Sequence, residues 1–180
     1  MSVFKRCSVV VLALAALQGA AQAAPFTDVL DLPAMPSALV ASSALRDVTL
    51  SGQRLVAVGP RGHILYSDDH GAHWQQAQVP VSADLNAVSF ATPELGWAVG
   101  HDGVVLHSRD GGVHWQKQLD GRALAEQLPG TGSDNALLDV WFSDARNGYA
   151  VGVFNLLLRT VDGGEHSQPW LDHSDNPQGL

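Results

Sequence analysis

The sequence predicts an all-β fold, a partial β-propeller of about three four-stranded antiparallel blades. The first observation is a repeated turn that follows the pattern Ser/Thr-x-Asp-x-Gly-x-His: "SDDHGAHW" (67–74), "SRDGGVHW" (108–115) and "TVDGGEHS" (160–167). The second is its spacing, because Trp74 and Trp115 are 41 residues apart and His114 and His166 are 52 residues apart. Periods of this size are the signature of repeat architectures.

The third observation is that short apolar segments precede each turn in the same order. The opening segments are "LRDVTL" (45–50), "LNAVSF" (85–90) and "LLDVWF" (137–142); the next are "LVAVG" (55–59), "GWAVG" (96–100) and "GYAVG" (148–152); the last are "HILYS" (63–67), "VVLHS" (104–108) and "LLLRT" (156–160). Their length and their Val, Leu and aromatic content predict strands. The second and third segments are almost continuously apolar, which favours strands that are covered on both faces. A fourth segment, such as "VHWQKQL" (113–119), follows the turn. Four such strands per repeat of about 40 residues predict a propeller blade. A β-sandwich is the alternative, although it does not account for the repeated turn.

Outside the repeats, the chain has three further segments. Residues 1–23 contain Lys5, Arg6, an apolar run and "AQA" at 21–23, which predicts a cleaved export signal, with an uncleaved membrane anchor as the alternative. Residues 24–44 are rich in Ala, Pro and Ser and predict a linker or a stray strand. The three blades are expected at about 45–80, 85–121 and 137–172, with an insertion at 122–135 whose "ALAEQL" predicts a short helical turn.

The composition argues against several partners. Without residues 1–23 the chain has 8 basic and 18 acidic residues, a net charge of −10, so nucleic acid and anionic lipid are poor partners. The single cysteine, Cys7, lies within the predicted signal, which excludes disulfides and thiol catalysis from the mature chain. The repeated histidines fall on different blades, and the others lack metal-binding spacing. We therefore expect no cofactor and no metal.

The repeated Ser/Thr-x-Asp-x-Gly-x-x-Trp pattern resembles the Asp-box, or bacterial neuraminidase repeat. The "AVG" strand and the "DGG" turn ending in His-Trp resemble in particular the photosystem II stability/assembly factor-like group of exported repeat proteins. The resemblance covers residues 45 to about 172. It implies a β-propeller that acts as a non-enzymatic protein-binding or assembly module for a membrane complex. The predicted export signal and the net charge of −10 fit a bacterial periplasm, or a thylakoid lumen if the host is photosynthetic.

The Asp-box residues are interpreted as structural. The set is Ser67, Asp69, Gly71, Trp74, Ser108, Asp110, Gly112, Trp115, Thr160, Asp162 and Gly164. Each aspartate is expected to accept hydrogen bonds from backbone N–H groups of its turn. Trp74 and Trp115 are expected to be buried and equivalent, while Ser167 in the tryptophan position marks a weakened third turn. Calcium binding is the alternative, but each turn offers one or two carboxylates where Ca²⁺ takes six to eight oxygens.

A sialidase-like glycoside hydrolase is the alternative function, because the repeat is named after such enzymes. In that family an arginine cluster binds the substrate and a tyrosine is the nucleophile. The only tyrosines are Tyr66 and Tyr149, and Tyr149 aligns with Trp97, which indicates packing. We therefore expect no catalytic residue. Arg46, Arg61 and Arg122 are instead a candidate interaction surface.

The repeat count leads to a last expectation. Closed propellers have four to eight blades, whereas three are predicted here. The end blades would expose apolar faces, because "LLDVWF" and "LLLRT" are not the polar segments that normally cap a repeat array. The sequence therefore predicts a truncated member with an open arc of blades, or self-association through those faces.

Overall fold

The computed structural model describes residues 26–128 and 132–170, and these form three four-stranded antiparallel sheets, with strands in the order of the sequence. Blade 1 consists of β1 (Asp47–Ser51), β2 (Arg54–Val58), β3 (Ile64–Ser67) and β4 (Gln75–Gln76). Blade 2 consists of β5 (Leu85–Phe90), β6 (Gly96–Gly100), β7 (Val105–Ser108) and β8 (Trp115–Leu119). Blade 3 consists of β9 (Leu137–Phe142), β10 (Gly148–Gly152), β11 (Leu157–Thr160) and β12 (Gln168–Pro169). The predicted partial propeller is confirmed.

The three blades share one register. Val56 pairs with Tyr66 in blade 1, Trp97 pairs with His107 in blade 2, and Tyr149 pairs with Arg159 in blade 3. Val56, Trp97 and Tyr149 are therefore equivalent positions. The first strand of blade 2 contacts the first strands of both other blades, so the blades follow one another along an arc.

Apolar side chains fill the two spaces between neighbouring blades. Val56, Val58 and Trp115 belong to the core between blades 1 and 2, and Trp97 and Phe142 belong to the core between blades 2 and 3. Every residue of β6 is buried, because blade 2 is covered on both faces. This explains why its segment reads as a continuous apolar run.

The segment before blade 1 differs from the prediction of a linker or stray strand. Residues 26–44 contain no strand, only a short 3-10 turn at Val40–Ser42. Leu30 is 4% exposed and packs into the first core, since its apolar side chain gains by leaving water. The Ala34 N–H donates to the Val79 carbonyl at 3.0 Å. The segment is thus part of the packed structure.

The insertion after blade 2 contains the helix α1 (Gly121–Gln127), in agreement with the predicted helical turn. The Asp120 side chain accepts hydrogen bonds from the N–H groups of Arg122 and Ala123, which caps the helix start. Leu124 is 1% exposed and anchors the helix in the second core.

The predicted export signal, residues 1–23, lies outside the described residues. Among the helices of the described ranges, none has the length and apolar character to cross a membrane.

One buried histidine makes stability sensitive to pH. His107 is 7% exposed, and its ring stacks on Trp97 with 4.8 Å between centroids. Among the described residues, its Nε2 atom has no hydrogen-bond partner. Burial, together with nearby Arg109, lowers the pKa of His107 to about 4. The unfolded chain therefore takes up a proton near pH 6.5 that the folded chain does not bind until about pH 4.

Lowering the pH from 7.5 to 5 should therefore destabilise the fold. Because the unfolded state alone binds this proton between about pH 6.5 and 4, the free energy of unfolding should fall by on the order of 2 kcal/mol through this group. His107→Phe keeps a ring against Trp97 but cannot titrate. Over the same pH interval, its free energy of unfolding should therefore fall by about 2 kcal/mol less than that of the wild type. Urea melts of both proteins at the two pH values test this. Equal losses in the two proteins would exclude His107 as the cause.

Candidate functional site at the repeated corners

The three repeated turns adopt one hydrogen-bonded geometry and are named here the first corner (residues 67–74), the second corner (108–115) and the third corner (160–167). In each, the opening Ser or Thr hydroxyl accepts a hydrogen bond from the glycine N–H four residues later, at 2.8, 2.9 and 2.9 Å. The same hydroxyl donates to Oδ1 of the aspartate at 2.8, 3.0 and 2.8 Å. The hydroxyl thus both accepts and donates a hydrogen bond within each turn.

The corner aspartate is held by a histidine that the sequence analysis did not assign to this role. Oδ1 accepts from the backbone N–H of the histidine four residues later at 2.8, 2.9 and 3.0 Å. Oδ2 lies 2.6, 2.6 and 2.8 Å from Nδ1 of the same histidine. The constant Asp-to-His spacing in all three repeats was the available signal. These carboxylates are therefore bound within their own turns.

The hydrogen bonds favour the ionised carboxylates. The His166 N–H, its ring and the Thr160 hydroxyl lower the pKa of Asp162 to about 2. The His73 N–H, its ring and Ser67 hold the pKa of Asp69 well below its usual range. At Asp110 burial opposes this, but the hydrogen bonds from His114 and Ser108 still lower the pKa. This contribution to stability is present above about pH 4 and is lost as acid protonates the folded carboxylates.

Removal of the second corner's carboxylate should destabilise the fold. In Asp110→Ala, the N–H groups of Val113 and His114, now 3.1 and 2.9 Å from Oδ1, lose their acceptor. We expect a loss of about 1–3 kcal/mol in the free energy of unfolding, measured by urea denaturation. Asp110→Asn keeps an acceptor oxygen and should lose less. The control is Glu165→Ala, an exposed carboxylate in the third corner. Unchanged stability of the Asp110→Ala protein would contradict the structural interpretation.

The glycines of the corners allow close approach of the preceding blade. Gly71, Gly112 and Gly164 have φ of +87°, +88° and +86°, a region that favours glycine. A Cβ at Gly112 would lie 3.1 Å from Val56 of blade 1. A Cβ at Gly164 would lie 2.5 Å from Gln118 of blade 2. The second and third corners therefore pack directly against the blade before them.

The expectation that Trp74 and Trp115 are equally buried is wrong. Trp115 is 4% exposed, donates from Nε1 to the Gly112 carbonyl at 3.0 Å and packs edge-on against Phe90. Trp74 is only half-buried. The physical reason is position, since the second corner lies against blade 1 whereas no described blade precedes the first corner. The third corner, with Ser167 in this place, shares with the others the bonds of its Thr160 hydroxyl and those between Asp162 and His166, and its proposed weakness stays a prediction.

The three candidate arginines do not form one cluster of free cations. Arg46 binds Asp84 at 2.7 Å and Asn86 at 2.6 Å. Arg122 binds Asp31 at 2.8 Å and Asp120 at 3.0 Å, and these bonds raise its pKa. The Arg61 side chain is exposed and makes no ion pair within residues 26–128 and 132–170. Arg61 alone of the three thus offers an unpaired guanidinium.

Arg61 lies beside a cavity of about 740 Å³ between the amino-terminal segment and blade 1. The lining includes Leu32, Met35, Leu39, Arg61 and His63. Met35 is 71% and Leu39 is 75% exposed, so apolar surface is open to solvent there. A pocket with apolar walls and a cationic edge suits an apolar chain that carries an acidic group.

Both tyrosines pack against other side chains of the described residues. Tyr66 lies under the Arg54 guanidinium, 4.6 Å from ring to cation. Tyr149 packs between Trp141 and Trp170, with centroids 6.4 and 5.3 Å away. In the part of the chain that the structure describes, no group of three or more His, Cys, Asp or Glu side chains could hold a metal ion.

The family model described as "Photosynthesis system II assembly factor YCF48" matches residues 36–134, just over half of the 180 residues. No curated protein matches in sequence.

Solved structures with a similar fold include two YCF48 proteins. One, from Cyanidioschyzon merolae, has 25% identity and a TM-score of 0.57, over 71% of this chain and 39% of its own. The other, YCF48 bound to D1 peptide, has 23% identity and a TM-score of 0.57, over 69% of this chain and 39% of its own. An ancestral GH74 enzyme has 14% identity and a TM-score of 0.51, over 70% of this chain and 20% of its own. This likeness concerns the fold alone. The chain thus spans about two fifths of the length of the YCF48 structures. Because the family model covers more than half of its residues, this chain belongs to the photosystem II assembly factor YCF48 family.

Proposed function

We propose that this chain is a non-enzymatic protein-binding module that helps a membrane protein complex of the photosystem II type to assemble or persist. The observation that carries the proposal is the match to the YCF48 family across blades 1 and 2. The hydrogen bonding of the corners supports it, because their hydroxyls and carboxylates are engaged within the fold. A related structure is YCF48 bound to D1 peptide, which makes a peptide of a membrane protein the first ligand to test.

The cavity beside Arg61 is the proposed peptide contact. Its exposed apolar lining at Met35 and Leu39 offers apolar contact area, and the unpaired guanidinium of Arg61 offers a partner for a carboxylate. Arg46 and Arg122 are bound to acidic groups of the chain itself, so they are weaker candidates. The proposal therefore selects Arg61 from the three candidate arginines.

The test is a titration of the mature chain with a fluorescently labelled D1 peptide, with a scrambled peptide as the reference. We expect saturable binding of the D1 peptide and a several-fold loss of affinity in Arg61→Ala. Arg109→Ala is the matched control, because it removes the same charge from an exposed side chain elsewhere. Equal binding of the two peptides would contradict the function. Equal effects of the two arginine variants would contradict the site.

Glycoside hydrolysis is the rejected alternative. The likeness to an ancestral GH74 enzyme, at 14% identity, concerns the fold alone. Tyr149 packs among aromatic rings, and Tyr66 packs against Arg54. Incubation with a fluorogenic sialoside should release no fluorophore above the rate of the buffer.

Export is also proposed, on the basis of the signal-like sequence of residues 1–23. The destination would be the periplasm, or the thylakoid lumen in a photosynthetic host. Expression of the full chain with a carboxy-terminal tag, followed by amino-terminal sequencing of the exported form, should find Ala24 first. Recovery of the uncleaved chain in the membrane fraction would favour the anchor instead.

A further inference from the structure

The amino-terminal segment, residues 26–44, forms most of the wall of the cavity beside Arg61. It supplies Leu32, Met35 and Leu39, whereas blade 1 supplies Arg61 and His63. The segment contains no strand of its own. Its backbone groups therefore find partners in neighbouring elements rather than in a sheet. The shape of the cavity thus depends on what holds this segment in place.

One set of bonds holds the segment to the connection between blades 1 and 2. The Ser82 hydroxyl donates to the carbonyls of Leu32 and Pro33, at 2.8 and 3.0 Å. The Ala34 N–H donates to the Val79 carbonyl at 3.0 Å. These bonds fix the middle of the segment along one side.

A second attachment is ionic and reaches blade 2. Both terminal nitrogens of Arg122, at the start of α1, donate to the two carboxylate oxygens of Asp31 at 2.8 Å each. Lys117 of β8 lies 3.6 Å from the same carboxylate and donates to the Leu30 carbonyl at 2.9 Å. The hydrogen bonds from Arg122 and the charge of Lys117 lower the pKa of Asp31. Two cations thus tie the segment to the second blade and its insertion.

The two cations are themselves held by a buried acid. Asp120 is 8% exposed, caps α1, and binds Lys117 at 2.8 Å and Arg122 at 3.0 Å. These three residues and Asp31 are named here the Asp31 cluster. An isolated surface ion pair contributes little, but a bidentate pair between arginine and carboxylate within a network is the exception. The insertion after blade 2 therefore presents a fixed guanidinium to the segment.

Three consecutive residues of the segment take different surroundings. Leu30 is buried in the first core, Asp31 binds the cations of blade 2, and Leu32 lines the cavity. Neighbouring Cα atoms along the chain are 3.8 Å apart, so fixing one residue restricts the next. The position of Leu32 in the wall is thus coupled to the ion pair of Asp31.

We infer that the Asp31 cluster fixes the wall of the cavity beside Arg61, so that Asp31 and Arg122 are positioning residues for the peptide. Neither is among the described residues that line the cavity. A wall that is ordered before binding avoids the entropy cost of ordering it during binding, which raises affinity. The inference rests on the proposed function, because this cavity is the proposed peptide contact. It gives Arg122 an indirect role in place of a direct contact.

Hydrogen exchange of the mature chain without peptide measures the wall itself. The amide groups of Ala34 and Ser37, which donate to the connection after blade 1 and to its outer strand, report on the segment. Their exchange should be several-fold faster in Asp31→Ala and in Arg122→Ala. Arg109→Ala removes an exposed guanidinium outside the cluster and should exchange like the wild type. Unchanged exchange in the two cluster variants would overturn the inference.

Titration with the labelled D1 peptide tests the consequence for binding. Affinity should fall several-fold in each cluster variant, and the double variant should lose no more than either single one, because the two residues act as a unit. Arg122→Lys keeps the charge but not the bidentate pair, so it should lie between Arg122→Ala and the wild type.

A direct contact of Arg122 with the peptide predicts a different pattern. Asp31→Ala would then release the guanidinium and leave affinity unchanged or increased, while Arg122→Ala would still weaken binding. That pattern contradicts the positioning role, as does faster exchange with unchanged affinity in both variants. If Arg122→Ala does not fold, as judged by circular dichroism, Asp31→Asn removes the charge with almost no change of shape and takes its place.

The two measurements also separate this inference from the proposed function. A wild-type chain that does not bind the D1 peptide rejects the function, and hydrogen exchange still decides whether the cluster holds the wall. Peptide binding together with unchanged exchange in the cluster variants rejects only the inference.

Discussion

Replacing Trp97 with alanine should lower the free energy of unfolding by about 3–5 kcal/mol, the range for removing a large aromatic side chain from a core. Trp97 is 0% exposed and lies between Phe142 of blade 3, at a ring centroid distance of 3.6 Å, and His107 of its own blade. Its Nε1–H also donates to the Gly163 carbonyl of the third corner. The substitution therefore removes core packing and the bond that ties blade 3 to blade 2.

Urea denaturation and hydrogen exchange distinguish these two contributions. Trp97→Phe retains a ring between its neighbours but no donor, so it should lose less stability while exchange in residues 160–167 still rises. Trp141→Ala is the control, because this side chain is 58% exposed. A loss at Trp97 no larger than at Trp141 would contradict the assigned packing between the blades.

Replacing Trp115 with alanine should lower the free energy of unfolding by about 3–5 kcal/mol, whereas replacing Trp74 with alanine should lower it much less. The two residues end corners of the same sequence pattern, so the sequence predicts equal losses. In the structure Trp115 is 4% exposed against the first core, and Trp74 is half-buried. The free energy of unfolding of both variants, measured in dilute solution, decides between the two expectations. Equal losses for both tryptophans in dilute solution would show that the difference in burial has no energetic consequence.

Much of the local structure could be predicted from the sequence. The strands follow from short Val- and Leu-rich segments that recur with the corner pattern, and their order along each sheet follows from short connections. The corners themselves are local, because Asp110 takes all its hydrogen bonds from residues at most four positions away. Such bonds are determined by spacing, so they do not depend on the rest of the fold. The capped helix at Gly121–Gln127 is local in the same sense.

Contacts between distant segments could not be predicted in this way. The amino-terminal segment reads as a linker by its composition, yet Leu30 enters the core beneath blades 1 and 2. The burial of Trp115 requires blade 1 before it, and nothing within the second repeat distinguishes it from Trp74. The three arginines of the candidate surface also differ in their surroundings. Asp31 and Asp84, distant in sequence, bind Arg122 and Arg46, whereas the Arg61 side chain has no ion pair within the described residues.

The sequence by itself thus determined the repeat, the strands and the internal bonding of the corners, because these depend on residues a few positions apart. Only the tertiary structure decided which corner tryptophan is buried, which candidate arginine has no ion pair within the described residues, and which blade faces are covered. The physical reason is that burial and ion pairing depend on what packs against a residue. Similar repeats have different neighbours in the middle and at the ends of an arc.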